Sequence, residues 1–245
     1  MIRIEHLSKS FGQPVLRDVS LTVAAGCLFG LIGPGASGKS VLLKMITALM
    51  RPDSGSIDVD GQDVFGMTEL ELATYRAKFG MLFQNNALFD AMTVADNIAF
   101  PLRRMSQGVD EHEIHERVEE RLSAVSLAGF GGRTPAGLSG GQKKRVGVAR
   151  ATVTRAPIIF YDEPAAGLDP VTSQKIFDLL RAEQQRSKTT VIMVSSDIER
   201  LLTVTDRVGM MYRGSLIFEG TTAEATSSRD PYVSQFVHGL TEGPL

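Results

Sequence analysis

The sequence predicts an α/β fold in which a core of parallel strands carries an antiparallel β-subdomain and a helical subdomain. Apolar strand-like runs followed by helical patterns, at residues 27–46 and again at 157–203, predict the core. Alternating apolar and polar residues near the N-terminus predict the antiparallel strands, and a charged helical pattern over residues 110–125 predicts the helical part. The 245 residues suffice for one domain with such subdomains.

The N-terminal strands cover residues 2–7 and 15–23, which are joined by a turn around residues 10–14. Phe11 lies at that turn. It can cap the core, or it can offer the face of its ring to an adenine, because a phosphate-binding motif follows a short way downstream.

That motif is GPGASGKS at residues 33–40, which fits the pattern G-x-x-x-x-G-K-[ST] between an apolar strand and a helix. Its glycines let backbone N–H groups point inward, so that they and the helix N-terminus can hold a polyphosphate. Lys39 is expected to reach the β- and γ-phosphates, and Ser40 is expected to offer its hydroxyl to Mg²⁺. The alternative is a glycine-rich turn without a ligand, which the strand–loop–helix context disfavours.

An apolar strand at residues 79–84 ends in Gln84, and a loop with further apolar residues follows. Without other context, Gln84 is expected to hydrogen-bond a loop. Leu88, Phe89 and Met92 lie on this loop rather than on a periodic core face, which predicts a contact surface.

A mostly helical insertion comes next. Thr93 is expected to cap a helix that ends at about Phe100, because Pro101 cannot donate a backbone hydrogen bond. Residues 110–125 read as a second helix with an apolar stripe. Such a segment does not fit inside a parallel sheet, so it is predicted to form a subdomain attached to the core.

The segment LSGGQ at residues 138–142 opens a strong helix over residues 143–155. A serine and two glycines at a helix N-terminus form a second anion-binding site, unless they serve only as a helix cap. One nucleotide needs one phosphate cradle. The second cradle is therefore predicted to serve a nucleotide carried by a second copy of the chain.

Another apolar strand, at residues 157–163, runs into the carboxylates of Asp162 and Glu163. Asp162 is placed to hold Mg²⁺, directly or through water. Glu163 is placed to take a proton from a water that attacks the γ-phosphate. Adjacent carboxylates at a buried strand end are costly to desolvate, which disfavours a purely structural role. The sequence after residue 163 predicts alternating helices and strands, followed by a tail whose last residues are loose.

Composition limits the partners. The chain has 26 basic and 28 acidic residues, a net charge of −2 and no long basic block, so no nucleic-acid partner is expected. Its single cysteine, Cys27, lies in an apolar strand and cannot form a disulfide within one chain. No apolar run approaches the roughly 20 residues that span a bilayer. We therefore expect a soluble chain whose membrane role depends on a partner.

Together these motifs resemble the ATP-binding-cassette (ABC) ATPases over essentially the whole chain. The phosphate loop, Gln84, LSGGQ, the Asp162 and Glu163 pair and the loop at residues 167–169 occur in the family's order. The resemblance implies a P-loop NTPase core with an antiparallel β-subdomain and a helical subdomain. Its implied boundaries are about 1–84 and 157–225 for the core with its β-subdomain, 85–156 for the helical subdomain and 226–245 for a tail.

The resemblance also implies a role for each motif. Phe11 stacks on adenine, and Gln84 contacts Mg²⁺ and the attacking water while its loop senses the membrane partner. Residues 139–142 bind the γ-phosphate of the ATP held by the facing subunit. The residues assigned to ATP are then Phe11, Gly33, Pro34, Gly35, Ala36, Ser37, Gly38, Lys39, Ser40, Ser139, Gly140, Gly141, Gln142 and Asp169. The catalytic residues are Glu163, Gln84 and Ser196, and the Mg²⁺ ligands are Ser40, Gln84 and Asp162.

The implied assembly is a homodimer of ATPase subunits on a separate integral membrane permease, at the inner face of the cytoplasmic membrane. The alternative is a cassette protein that acts on ribosomes or DNA. Such relatives usually carry two cassettes, long linkers or inserted coiled coils, which this sequence lacks.

A narrower resemblance is to the ATPase subunits of the Mce-type phospholipid transport systems. It rests on MLFQ at residues 81–84, ALFD at 87–90, VADNIAFPL at 94–102 and QFVHGL at 235–240. It implies a phospholipid substrate and an Mce-type lipid-binding protein as a further partner.

One position departs from the family pattern. Members usually follow the last core strand with a histidine before an acidic residue, whereas here Ser196 precedes Asp197. The departure predicts slower hydrolysis with ATP binding retained. A regulatory subunit that binds ATP with little turnover is the remaining alternative, and the presence of Glu163 opposes it.

Overall fold

The computed structural model describes residues 1–84, 86–105 and 108–245. These residues form two units, Met1–Arg76 with Thr190–Leu245, and Ala77–Thr189. The strands are β1 (Ile2–Phe11), β2 (Gln13–Val23), β3 (Leu28–Ile32), β4 (Ser54–Val59), β5 (Gln62–Asp63), β6 (Phe79–Leu82), β7 (Ile158–Asp162), β8 (Thr190–Val194), β9 (Arg207–Tyr212) and β10 (Ser215–Thr221). The α-helices are α1 (Lys39–Ile46), α2 (Glu69–Arg76), α3 (Val94–Arg104), α4 (Glu111–Ala124), α5 (Gly140–Thr152), α6 (Pro170–Ser187), α7 (Ile198–Val204), α8 (Thr222–Thr226) and α9 (Pro231–His238).

The first unit contains an antiparallel sheet in the order β2-β1-β4-β5. Its β1 and β2 pair with Ile2 opposite Val23, which confirms the predicted pair of N-terminal strands. Ile2 and Ile4 are buried on the core face of β1. Both strands run further than predicted, because Gly12 adopts a φ of 76° and makes a tighter turn than the expected one at residues 10–14.

The same unit contains parallel core strands. β3 pairs in parallel with both β8 and β9, and β10 pairs antiparallel with β9. Every residue of β3 and β8 is buried, which accounts for their unbroken apolar sequences. The carboxyl ends of these strands meet at one edge of the sheet, so the loops that follow β3 and β8 lie at the same edge.

The C-terminal tail is not loose, so that prediction is wrong. The buried Gln235 of α9 accepts a hydrogen bond from Leu245 N at 2.8 Å through Oε1, and its Nε2 donates to Leu240 O at 3.2 Å. The last residues therefore fold back on α9, because the tail satisfies both ends of a buried amide.

The second unit surrounds α5. Its two strands, β6 and β7, pair in parallel, with Phe79 opposite Ile158. The helix α5 packs against β6 and against α3, α4 and α6. The predicted apolar stripe of α4 is buried, at Ile114, Val118 and Leu122. None of the described helices is both long and apolar enough to cross a bilayer.

Two predicted helix boundaries in this unit are wrong. The helix α3 does not end before Pro101 but continues to Arg104, because buried Ile98 and Leu102 pack on both sides of the proline and only one backbone hydrogen bond is lost. The helix α5 covers Gly140–Thr152 rather than residues 143–155. A side-chain cap on Ser139 places the glycines inside its first turn.

Candidate functional site

The loop between β3 and α1 has the shape that its glycines predict. Gly33 and Gly38 have φ values of 136° and 103°. A Cβ on Gly33 would lie 2.0 Å from Met211 O, and a Cβ on Gly38 would lie 2.6 Å from Leu16 Cδ2. Both positions therefore require glycine. Around Gly35, in contrast, a Cβ would meet no atom within 4 Å, so this part of the loop is open.

The start of α1 fits an anion. Its N-cap, Gly38, makes no side-chain cap hydrogen bond, and the first turn contains no acidic residue. The ammonium group of Lys39 folds over the loop and donates to Gly33 O at 2.7 Å, Pro34 O at 2.8 Å and Ser37 Oγ at 3.2 Å. A helix N-terminus and a lysine thus meet at an open loop, which is the environment that a polyphosphate needs.

Phe11 is 56% exposed at the end of β1, so its ring does not cap the core. The Lys9 ammonium lies 5.5 Å from the centroid of the ring. An exposed aromatic face beside a cation can stack on a purine. The adenine-stacking role of Phe11 stays a prediction.

In the second unit, β7 ends at Asp162, as predicted, and Glu163 follows in a left-handed conformation with a φ of 49°. This conformation is uncommon for residues other than glycine and is concentrated at functional sites. The neighbouring strand β6 ends at Leu82, so Gln84 lies in the turn beyond it and is exposed.

Lys144 connects these two loops, and the sequence analysis missed it. Its Nζ donates to Gln84 O at 2.6 Å and to Glu163 O at 3.0 Å. Burial lowers the pKa of Lys144, and the carboxylates of Glu163 and Asp162 oppose that shift. The available signal was a lysine on the apolar face of α5, four residues before the buried Val148.

The LSGGQ segment forms a closed helix cap. Ser139 Oγ accepts from Gln142 N at 3.3 Å, and Gln142 Oε1 accepts from Ser139 N at 2.8 Å. A Cβ on Gly141 would lie 2.7 Å from Thr172 Cγ2, so the glycine permits close packing against α6. Gly140 and Gly141 still contribute backbone N–H groups to the first turn of α5. Whether this turn binds a nucleotide stays a prediction.

Asp169 caps α6. Its Oδ1 accepts from Thr172 N at 2.9 Å and from Val171 N at 3.0 Å. Hydrogen bonds from Thr172 and Val171 hold the pKa of Asp169 below its usual range, so the side chain is an anionic cap. The assignment of Asp169 to nucleotide binding stays a prediction.

Ser196 follows β8 and is exposed. It lines a cavity of about 730 Å³ together with tail residues that include Phe236, His238 and Leu245. The next residue, Asp197, caps α7 and pairs with Arg200 at 2.6 Å. Ser196 therefore lies directly before a helix whose start is capped by a side chain, and its assignment to the family's histidine position stays a prediction.

Comparison with known proteins gives a consistent set of likenesses. The family model described as ABC transporter matches residues 16–166. The chain is 40% identical over 245 residues to the probable ribonucleotide transport ATP-binding protein mkl of Mycobacterium tuberculosis, which covers 100% of this chain and 68% of that protein. It is 38% identical over 227 residues to the methionine import ATP-binding protein MetN of Caulobacter vibrioides. That match covers 91% of this chain and 68% of MetN.

Solved structures of ATP-binding cassettes resemble this chain as well. The dimeric post-hydrolysis state of the ATP-binding cassette MJ0796, bound to ADP and Pi, superposes with a TM-score of 0.82 at 29% identity and covers 91% of this chain and 99% of that one. The cbiO1 subunit of the ABC transporter complex cbiONQ from Clostridium perfringens superposes with a TM-score of 0.86 at 26% identity, with 98% and 95% covered.

Proposed function

The chain belongs to the ABC transporter family, whose characteristic activity is ATP hydrolysis, and from that premise we propose that it drives phospholipid transport as a homodimer on a separate membrane permease. Its standing as an ABC transporter ATP-binding subunit follows from the family match over residues 16–166. The single observation that carries the nucleotide-binding assignment is the Lys39 loop, where a helix N-terminus without a side-chain cap and a lysine meet.

The phosphates of ATP would lie against the loop at residues 33–40. Lys39 would exchange its bonds to loop carbonyls for bonds to phosphate oxygens, which are stronger because both partners are charged. By the family resemblance, Mg²⁺ would take oxygen ligands from the Ser40 hydroxyl, the Gln84 amide and the Asp162 carboxylate, the ligand types this ion prefers. When bound, Mg²⁺ neutralises negative charge on the phosphate oxygens.

Glu163 is the proposed general base. Its carboxylate would accept a proton from the water that attacks the γ-phosphate. The left-handed backbone at Glu163 is held by two donors on its carbonyl, Lys144 Nζ at 3.0 Å and Ala166 N at 3.3 Å, which supports a fixed placement of this residue. Gln84, in the neighbouring loop, would orient that water through its side-chain amide.

The dimer is proposed from the two phosphate cradles. One ATP occupies the Lys39 loop, and the first turn of α5, at Ser139, would complete that site from a second copy of the chain. The dimeric state of the similar cassette MJ0796 bound to ADP and Pi supports this arrangement.

The test is Glu163→Gln. The amide keeps the shape of the side chain but cannot accept the proton, so turnover is expected to fall by about 10²–10⁴-fold while ATP binding remains. Sizing chromatography with ATP and Mg²⁺ is expected to show a stable dimer. Glu119→Gln, at an exposed position on α4, is the matched control and should turn over and elute as wild type. A Glu163→Gln variant that hydrolyses ATP normally, or stays monomeric, would contradict the proposal.

A groove on the second unit is the proposed docking site of the permease. Its volume is about 260 Å³, and it is lined mainly by apolar side chains that include Phe79, Phe83, Phe89 and Phe100. Phe89 is 41% exposed, and its ring lies 4.7 Å from that of Phe100. The groove is thus an exposed aromatic surface of the kind that anchors protein interfaces.

The loop that carries Phe89 is firmly held. The fully buried Asn97 accepts from Phe89 N at 2.8 Å and donates to Phe89 O at 3.0 Å. Of the three residues predicted for this surface, Phe89 is exposed, whereas Leu88 and Met92 are half-buried. Phe89 is therefore the better position to test.

The docking test compares Phe89→Glu with Leu70→Glu. Leu70 is 82% exposed on α2, in the other unit, and serves as the control for adding a charge at an exposed apolar site. A detergent extract of source membranes is passed over each immobilised chain. Recovery of a permease is expected to fall about tenfold with Phe89→Glu and to stay unchanged with Leu70→Glu, because burying a new charge in an interface core is unfavourable. Equal recovery by both variants would exclude the groove.

The phospholipid substrate rests on the motif resemblance alone. The two named relatives are described as ribonucleotide and methionine transporters, so their names do not supply a lipid. The proposal places the chain on the inner face of the cytoplasmic membrane, bound to a permease and an Mce-type protein. Mass spectrometry of the recovered complex tests it. A permease without an Mce-type protein or bound phospholipid would exclude this substrate and leave the ATPase assignment intact.

A further inference from the structure

We propose that Lys144 is a positioning residue for ATP hydrolysis, acting through two main-chain carbonyls that it links, one at Gln84 and one at Glu163. Its Nζ lies 2.6 Å from the first oxygen and 3.0 Å from the second. These oxygens belong to the loops that follow the paired strands β6 and β7. One side chain therefore fixes the two loops relative to each other. The inference rests on the proposed roles of Gln84 and Glu163.

The burial of Lys144 shows that this placement is specific. The residue is only 4% exposed, which is rare for lysine because the ammonium group loses its hydration. Two carbonyl oxygens replace part of that hydration, and the negative charges of Glu163 and Asp162 favour the ammonium form. An apolar residue would fill the same space without that cost, so packing alone does not account for a lysine here.

The bond to the Glu163 carbonyl stabilises a residue whose backbone conformation is unfavourable. Glu163 has a φ of 49°, which is disfavoured for a residue with a Cβ. Its carbonyl also accepts from Ala166 N at 3.3 Å, so the turn has two donors on one oxygen. By holding this carbonyl, Lys144 fixes the direction in which the Glu163 side chain leaves the main chain.

The bond to Gln84 acts on the other loop. Arg150, further along α5, donates to Ala87 O at 2.7 Å and also to Asn86 O. The helix therefore holds this loop at Gln84 through Lys144 and at two later carbonyls through Arg150. Arg150 also lines the groove proposed for the permease. Lys144 is the contact through which the same helix reaches Glu163.

The test compares Lys144→Met with Lys175→Met in the full chain. Methionine keeps most of the length of lysine and removes every donor. Lys175 is an exposed lysine on α6 and controls for the substitution. Steady-state hydrolysis of ATP with Mg²⁺ is expected to show kcat about tenfold lower for Lys144→Met, with KM within about twofold of wild type, because a small displacement of aligned groups lowers the rate without weakening binding. Lys144→Arg, which retains charged donors, is expected to restore part of kcat.

A merely structural role has a different signature. It predicts a lower melting temperature with an unchanged kcat per folded molecule, and that result for Lys144→Met would overturn the inference. If Lys144→Met does not fold, Lys144→Gln decides. Its neutral and shorter amide reaches one carbonyl only, so kcat is expected to fall about threefold. A wild-type kcat in Lys144→Gln would overturn the inference.

A double-mutant cycle with Gln84→Ala identifies the route. If Lys144 acts through the Gln84 loop, Lys144→Met should lower kcat about tenfold in the wild type but only about threefold in Gln84→Ala. Equal losses in both backgrounds would overturn the link to Gln84. Wild type and Glu163→Gln are assayed alongside: normal turnover by Glu163→Gln would refute the proposed function itself, whereas blocked turnover with an unaffected Lys144→Met would refute this inference alone.

Discussion

Two helices of this chain begin in glycine-rich segments, and they differ in what satisfies their first turns. At α1, the N-cap Gly38 makes no side-chain hydrogen bond. At α5, Ser139 and Gln142 close a reciprocal capping box. The start of α1 thus has no side-chain cap, whereas at α5 the chain's own side chains bond the N–H groups of Ser139 and Gln142, a box that does not include those of Gly140 and Gly141.

This difference indicates an order of binding. Under the proposed function, the Lys39 loop would bind ATP in a single chain, because no side chain caps the start of α1. Under the same proposal, Ser139 at the start of α5 would have to release a cap that typically contributes about 1 kcal/mol before its hydroxyl could bind a nucleotide. We therefore expect nucleotide affinity to depend on the first cradle and turnover to depend on both.

Among the changes that test this comparison of the two helix starts, Lys39→Ala is expected to have the largest effect. Removing the ammonium group removes charge-assisted bonds to phosphate, so ATP affinity is expected to fall by about 10- to 100-fold. Fluorescence titration with an ATP analogue measures it. Lys44→Ala, at an exposed position in the last turn of α1, is the control and should bind as wild type. Retained affinity in Lys39→Ala would show that the backbone cradle alone binds the nucleotide.

Ser196→His should raise turnover on the order of tenfold and leave ATP affinity nearly unchanged. A histidine would reach further toward the γ-phosphate and help hold the attacking water. Losing such a donor typically costs about 10²–10³-fold, but a serine hydroxyl can still donate one hydrogen bond, so we expect a smaller gain. The measurement is steady-state ATPase activity of the assembled transporter. Equal or lower turnover would mean that the native site is already complete with serine.

The smallest expected effect separates the two roles of Ser139. Ser139→Ala removes both cap and hydroxyl, whereas Ser139→Gly removes the hydroxyl but leaves an acceptable N-cap. Turnover is expected to fall about fivefold in both variants, and the melting temperature should fall only in Ser139→Ala. ATPase assays and thermal melts of the two proteins provide the comparison. Full turnover in Ser139→Gly would show that Ser139 serves only the helix.

The parts of the fold and site that sequence could predict are those encoded locally. The Lys39 loop is eight consecutive residues between a strand and a helix, and its glycines take the backbone angles that their positions require. The predicted end of α3 at Pro101 was wrong because packing on both sides of the proline outweighs its local effect on the helix. The prediction of a loose tail was wrong because the side-chain amide of Gln235 bonds the last residues, and no sequence pattern indicates those bonds.

The hydrogen-bond partners of Lys144 could not be predicted from such local patterns. Its partners are 60 and 19 residues away along the chain, and both are main-chain oxygens. A motif records side-chain types at fixed spacing, whereas every residue has a carbonyl. Only the arrangement of β6, β7 and α5 shows which carbonyls a buried lysine meets.

The contacts between α5 and the loop after β6 have a consequence for how such a subunit can be adapted to new partners. Lys144 and Arg150 bind the main-chain oxygens of Gln84, Asn86 and Ala87, not their side chains. Exchange of side chains in this loop therefore leaves its acceptors in place. If this loop is the proposed permease contact, its side chains can be exchanged, by divergence or by grafting, without removing the main-chain oxygens that Lys144 and Arg150 bind.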